Sequence, residues 1–339
     1  MLMSTMRAIT PYILHHRRRL CKPLTNTSSS APFSSSQGQK DNDHPPDSST
    51  VVQGPSLLTS TGVHRPSPSM FHLPGLRSLP FWTAPDSSDS GNESQKNRRL
   101  RVAYNDPTIT SAVQHVESNF QSIRDEYFSA VLGLGNGVRT ESDHVLKPLE
   151  PDYDVASKGG EHAEDALHSG TWDWHSYILN GNRNDKFADR CPKTAQVLDE
   201  LEKEGMLFGT PFSFCFFSTL HGKSSIRPHT GPMNLRLRMH LPLMVPNVSE
   251  EKIPLSSTNN TRPVTGIRVA DQVREWKEGS AVVLDDSYVH EVWNDSEETR
   301  VLLLLDLWHP DVKAVERESI SNMFDYARDK GWIGGGKRK

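Results

Sequence analysis

The chain has 339 residues, 35% of them hydrophobic and 24% charged, with a formal net charge of −4. That length allows one large core or two modest ones, and the slightly acidic balance carries no electrostatic footprint for nucleic acid. Three cysteines, Cys21, Cys191 and Cys215, are too few for a disulfide framework or a cysteine zinc cluster, and no run of about 18 apolar residues offers a transmembrane helix.

Residues 1–40 contain no Asp or Glu but carry Arg7, Arg17, Arg18, Arg19, Lys22 and Lys40 among many Ser and Thr. That is the composition of a mitochondrial or plastid transit peptide. A weakly basic, disordered tail is the plainer reading of the same residues. Residues 41–69 are mostly polar and buy too little apolar burial to offset ordering entropy, so a disordered linker is expected. One domain is then expected over 70–312, opening on Met70, Phe71 and Leu73 and continuing through Pro80, Phe81 and Trp82. A polar patch over Ser87 to Arg99 reads as a loop.

From Thr108 to Val131, apolar residues fall at Val113, Val116, Phe120, Ile123, Tyr127 and Val131. Steps of three and four mark one face of an amphipathic helix. Gly133 to Gly170 reads as a long loop and Trp172 to Leu179 as a strand. Pro192 to Glu204 reads as a helix, with Pro192 in its first turn and Gly205 placed to end it. Short strands follow over Pro211 to Thr219, Leu235 to Leu243, Gly266 to Ala270, Ser280 to Leu284, Val289 to Trp293 and Arg300 to Trp308. Ser249 to Pro263 reads as a polar loop. The tail over 313–339 is a helix, from about Val312 to Trp332, and a frayed end. Closely spaced strands without alternating helices point to a mainly β fold, a closed sandwich or barrel with flanking α-helices.

Three features carry chemistry. Arg236, Arg238 and His240 share one face of an alternating strand. A solvated outer face is the ordinary explanation; turned inward, they make a basic pocket suited to a carboxylate, because Arg offers a planar fork of donors. His229 and His290 each sit at the edge of a strand, His229 opening one. A lone histidine is more often structural than ligating, but imidazole suits iron, copper and zinc. Non-haem iron oxygenases usually add a carboxylate to two histidines; two residues after His229 stands Gly231. Arg300 begins the last strand; exposed to water it needs no partner, and buried it would need an anion.

The blocks from His229 to His240, from Asp285 to Asn294 and from Asp306 to Pro310 closely resemble the catalytic domain of aspartyl/asparaginyl β-hydroxylases. Weaker likenesses lie at Gly75 to Trp82, Ile123 to Glu126, Trp174 to Leu179 and Phe217 to Leu220. The resemblance covers roughly Met70 to Pro310. It implies a double-stranded β-helix, a jelly-roll or cupin-like barrel. It implies an Fe(II)- and 2-oxoglutarate-dependent dioxygenase whose members lack the usual carboxylate ligand, which Gly231 fits. His229 and His290 would be the metal ligands. Arg300, assisted by Ser218, would anchor 2-oxoglutarate, with Arg238, His240 and Trp174 lining the co-substrate and substrate pocket. Dioxygen is the second co-substrate, and ascorbate would support turnover in vitro. Asp285 and Asp286 are candidates to orient the histidines, or to cap their turn. Two departures concern substrate access: Gly222, Lys223 and Ser224 replace the family's Pro-Gly-Thr turn, and the loop from Pro246 to Thr265 is long. Hydroxylation of Asp or Asn in a peptide or protein is the first expectation. Free amino acids, lipid acyl chains, a non-catalytic binding barrel and a sugar-binding or isomerase barrel with another metal are the alternatives.

Overall fold

The computed structural model describes residues 66–84, 106–134, 147–152, 167–247, 252–254 and 261–332. The stretches expected to be a transit peptide or a disordered tail, most of the expected linker, the Ser87 to Arg99 loop and most of the Gly133 to Gly170 loop lie outside the described residues.

Thirteen strands are present among the described residues. They run β1 (His168–Ser169), β2 (Trp172–Leu179), β3 (Asn182–Arg183), β4 (Cys215–Leu220), β5 (Ser224–His229), β6 (Arg236–Met244) and β7 (Lys252–Pro254). Then come β8 (Thr261–Pro263), β9 (Thr265–Val269), β10 (Gln272–Arg274), β11 (Val282–Leu284), β12 (His290–Asn294) and β13 (Arg300–Trp308). Six form one antiparallel sheet in the order β11-β6-β13-β4-β2-β3, and five form a second in the order β1-β5-β12-β9-β10. The strands β7 and β8 pair on their own, so the region read as a plain loop from Ser249 to Pro263 holds a hairpin.

Strand periodicity dictates the layering, because successive side chains point to opposite faces. On β6, Leu237, Met239, Leu241 and Leu243 join a core cluster with Val301, Leu303, Leu305 and the helices. Their alternate neighbours Arg236 and His240 are also buried, facing the other way. A second cluster takes Phe216, Leu220, Leu302 and Leu304 from the six-stranded sheet and Ile226, Ile267, Val269 and Val292 from the five-stranded one. The two sheets therefore close on a shared interior, the double-stranded β-helix expected of the sequence. All nine residues of β13 are buried, since helices cover one face and the second sheet the other. Each fully buried Leu there is worth about 1.5–3 kcal/mol.

The helices are α1 (Pro107–Ser118), α2 (Phe120–Glu126), α3 (Asp185–Arg190), α4 (Pro192–Glu204) and α5 (Ala314–Asp329). Asp106 caps α1, its carboxylate accepting from the amides of Thr108 and Ile109 at 3.1 and 3.4 Å. The helix expected from Thr108 to Val131 is broken at Asn119 and ends in a π-helical turn over Tyr127–Val131. Its apolar stripe survives the break: Val116, Ile123 and Tyr127 are all buried. No described helix is long and apolar enough to cross a membrane.

The chain enters along the second sheet's loops. The amide of Ser67 donates to the Ser287 carbonyl at 2.8 Å, and that of Ser69 to the Gly231 carbonyl at 3.0 Å. The stretch expected to be a linker up to residue 69 is thus hydrogen-bonded at its end. Asn234 brackets Leu73 through two bonds, at 2.8 and 2.9 Å. Ser78 and Tyr288 share a hydroxyl bond at 2.5 Å, and the Asp285 amide donates to the Pro80 carbonyl at 3.1 Å.

Candidate active site

His229 is the last residue of β5 and His290 the first of β12, and the two are register partners. His229 closes a strand rather than opening one. Ser224 to His229 lacks clean alternation and contains Pro228, so β5 is poorly marked in the sequence. The ring centroids lie 4.0 Å apart. The Nδ1–H of His229 donates to the Arg227 carbonyl at 2.7 Å and that of His290 to the Tyr288 carbonyl at 2.9 Å. Each bond selects the tautomer that leaves Nε2 a free lone pair. Burial lowers the pKa of both rings, and for His290 the neighbouring His229 adds to it, pushing it down to about 3. Two adjacent neutral imidazoles result.

Among the described residues, no three His, Cys, Asp or Glu side chains gather into a metal cage. Asp285 and Asp286 do not touch the histidine rings by hydrogen bond. Asp285 accepts from the amide and hydroxyl of Ser287 at 3.0 and 2.5 Å, capping the turn. Asp286 accepts from Arg236 at 2.6 Å and lies 3.4 Å from Arg238. Backbone carbonyls, not these acids, orient the imidazoles.

Arg236 and Arg238 also both reach Asp306, each at 2.9 Å. Asp286 and Asp306 are fully buried, with Arg236 at 2% and Arg238 at 15% exposure. The polar face of β6 is therefore interior, and its two cations are neutralised by two anions. Burial alone would raise the Asp286 pKa; the two guanidiniums outweigh that and hold it below the carboxylate range. Arg238, expected to serve a ligand, has Nε and Nη2 committed to Asp306 at 2.9 and 3.2 Å. Alternation along β13 puts Asp306 on the same face as Arg300, opposite Arg238 in register, so this pairing had a signal that sequence reasoning passed over.

Arg300 differs. It is 1% exposed, and no carboxylate among the described residues pairs with it. Its Nη1 reaches only the carbonyl and hydroxyl of Ser218, at 3.4 and 3.3 Å, and its Nε–H has no partner. Burial without a counter-ion pushes its pKa down to about 9. The guanidinium lies 4.9 Å from the ring centroid of Trp276. Trp172 donates from Nε1 to the Ser218 hydroxyl at 2.9 Å. Trp174 is the register partner of Ser218 and stacks on Phe216 at 4.1 Å. His240 is buried with both ring nitrogens unpartnered, its pKa lowered well below normal by burial and then by Arg300, Arg238 and His290. His240 thus lies near Arg300, Arg238 and His290, His290 pairs with His229 and Arg300 meets Ser218; Trp174 is linked to them only as the strand neighbour of Ser218. Trp172 and Trp276 were missed; Trp276 stands in an irregular segment between β10 and β11 that carries no periodic signal.

The profile of the family described as aspartyl/asparaginyl beta-hydroxylase matches residues 117–310, more than half of the chain. This chain belongs to the aspartyl/asparaginyl β-hydroxylase family. A human aspartyl/asparaginyl beta-hydroxylase is 28% identical over 255 residues, covering 74% of this chain and 26% of that protein. The chain therefore spans about a quarter of the length of that relative. An ornithine lipid ester-linked acyl 2-hydroxylase of Rhizobium tropici is 30% identical over 139 residues, 40% of this chain and 42% of its own. A solved Pseudomonas putida prolyl-4-hydroxylase aligns at 14% identity over 46% of this chain and 79% of its own, with a TM-score of 0.27. Both histidines, Ser218, Arg238, His240 and Arg300 fall inside the stretch that matches the family.

Proposed function

We propose that this chain is an Fe(II)- and 2-oxoglutarate-dependent hydroxylase. The observation that carries this reading is Arg300, a buried guanidinium without an anion, in the same barrel as two neutral, adjacent histidines. A buried cation with unused donors is costly until an acceptor arrives. A keto acid with a second carboxylate meets that need at one end and offers metal-binding oxygens at the other.

The residues fit the metal. His229 and His290 present Nε2 lone pairs fixed by backbone hydrogen bonds, and imidazole suits iron. Bound there, iron(II) supplies dioxygen activation, coupled to conversion of 2-oxoglutarate to succinate and carbon dioxide. The chain's own work is orientation and exclusion of water. Arg300 and Ser218 hold the distal carboxylate. The Trp172, Trp174 and Phe216 rings and Leu302 and Leu304 wall the interior. His240, kept neutral, can donate from one ring nitrogen and accept at the other.

Hydroxylation of the β-carbon of Asp or Asn in a peptide is the first substrate reading, supported by family membership. Hydroxylation of a lipid acyl chain is the second, supported by the likeness to the Rhizobium tropici enzyme. The test is succinate release from 2-oxoglutarate with iron and ascorbate, across acidic peptides, free amino acids and acyl lipids, with product mass increased by one oxygen atom. The reading predicts release that one substrate class stimulates. Iron-loaded protein that binds 2-oxoglutarate no better than its Arg300→Ala variant would sink it.

A further inference from the structure

We propose that Trp276 positions the Arg300 guanidinium, and through it sets the preference of the site for a keto acid bearing a second carboxylate. This rests on the proposed function and deepens it.

Arg300 has little else to hold it. Its two contacts to Ser218 are long, at 3.3 and 3.4 Å, and its Nε–H is unpartnered. What it does have is the face of Trp276, 4.9 Å from guanidinium carbon to ring centroid. Both side chains are buried, at 1% and 5% exposure, so the cation–π attraction acts with water excluded and is stronger for it. Stacking occupies the flat face of a guanidinium and leaves its N–H edge for a carboxylate. The indole is itself unsatisfied: Trp276 Nε1 is buried without an acceptor. The His240 ring, also unpartnered, lies 6.1 Å from it. Arg300, Trp276 and His240, neighbours in the interior, each carry buried hydrogen-bonding atoms without a partner.

Trp276 comes from outside both sheets. Its segment is anchored by the Gly279 amide on the Pro242 carbonyl at 2.9 Å and by the Ala281 amide on Glu117 Oε1 at 2.7 Å. The ring also joins the buried cluster of Ile267, Val269 and Leu302, so 2-oxobutanoate binding serves as the control that the strands carrying His229, His290 and Arg300 stay in place.

The test is calorimetry on the full chain loaded with zinc, which cannot turn over. 2-Oxoglutarate is compared with 2-oxobutanoate, which has the same keto-acid end and no distal carboxylate. Wild-type protein that shows no preference for 2-oxoglutarate overturns the proposed function itself. Given that preference, Trp276→Leu should weaken 2-oxoglutarate binding by about 5- to 30-fold, the scale of a desolvated cation–π contact. Binding of 2-oxobutanoate should not change, and Trp276→Phe, which keeps a ring face, should retain most of the preference. Equal loss of both ligands in Trp276→Leu, full retention of the preference, or a Phe variant as weak as the Leu variant would overturn the positioning role.

Discussion

The carboxylate of Asp286 fills the space beside Gly231: a Cβ built on that glycine would lie 2.6 Å from Cγ, Oδ1 and Oδ2 alike. The Gly231 amide also donates to the Asp286 carbonyl at 2.6 Å, and Arg236 pins the carboxylate from the far side at 2.6 Å. The position where a third ligand usually stands is therefore closed to any side chain while Asp286 keeps its guanidiniums.

Gly231→Asp should accordingly fail to build a three-ligand site. We expect lost stability on the scale of overpacking, about 1–3 kcal/mol, with no gain in iron affinity. Gly231→Ala should lose a similar amount, because the clash begins at Cβ. Thermal melts and iron titrations read both. A Gly231→Asp protein that melts like wild type and binds iron more tightly would show that Asp286 yields its place.

Arg300→Met should separate function from stability. In the ligand-free protein it removes a buried charge that has no partner, so the melting temperature should hold or rise. Affinity for 2-oxoglutarate should fall by roughly 10- to 100-fold, the worth of a charge-assisted hydrogen bond or pair. Intact co-substrate affinity with a lower melting temperature would reverse the assignment.

His309 should make stability depend on mild acid. Its Nε2–H donates to the Arg77 carbonyl at 3.0 Å and its Nδ1 accepts from the Asp311 amide at 3.2 Å, a pattern that needs the neutral ring. Trp82 meets it edge-on at 5.0 Å. Burial pushes its pKa down to about 4, against the opposing pull of Asp311 and Asp106, with Arg77 nearby. An unfolded histidine titrates near 6.5, so between those values the unfolded chain binds the extra proton. The contribution is complete above about pH 6.5 and is lost as pH falls toward 4, by at most roughly 3 kcal/mol. Denaturant unfolding at the two ends of that window, with His309→Gln alongside, checks it. Equal losses in both proteins would clear His309.

The two histidines and Arg300 are legible because each lies in a short block of unusual composition, and β2, α4 and β13 because their periodicity or end signals are clean. The helix over Thr108 to Val131 is legible as a face but not as a broken axis, since Asn119 is an ordinary helix-surface residue until packing bends the chain there. The inward turn of Arg236, Arg238 and His240 is ambiguous in sequence, because alternation gives two faces and not which one is buried. Only the carboxylates of Asp286 and Asp306, distant in sequence, decide it. Trp276 is invisible for the same reason: its partner is 24 residues away, on another element.

The tether formed by residues 67–82 touches both histidine loops before the first strand begins, at Ser287, Gly231 and Tyr288. The family match starts only at residue 117. A recombinant fragment trimmed to that match would lose this buttress together with the buried side chains of Leu79, Phe81, Trp82, Ile109, Ala112 and Val116. The packed edge of this domain therefore lies upstream of its recognisable signature, and a truncation there would open the core as well as the two loops.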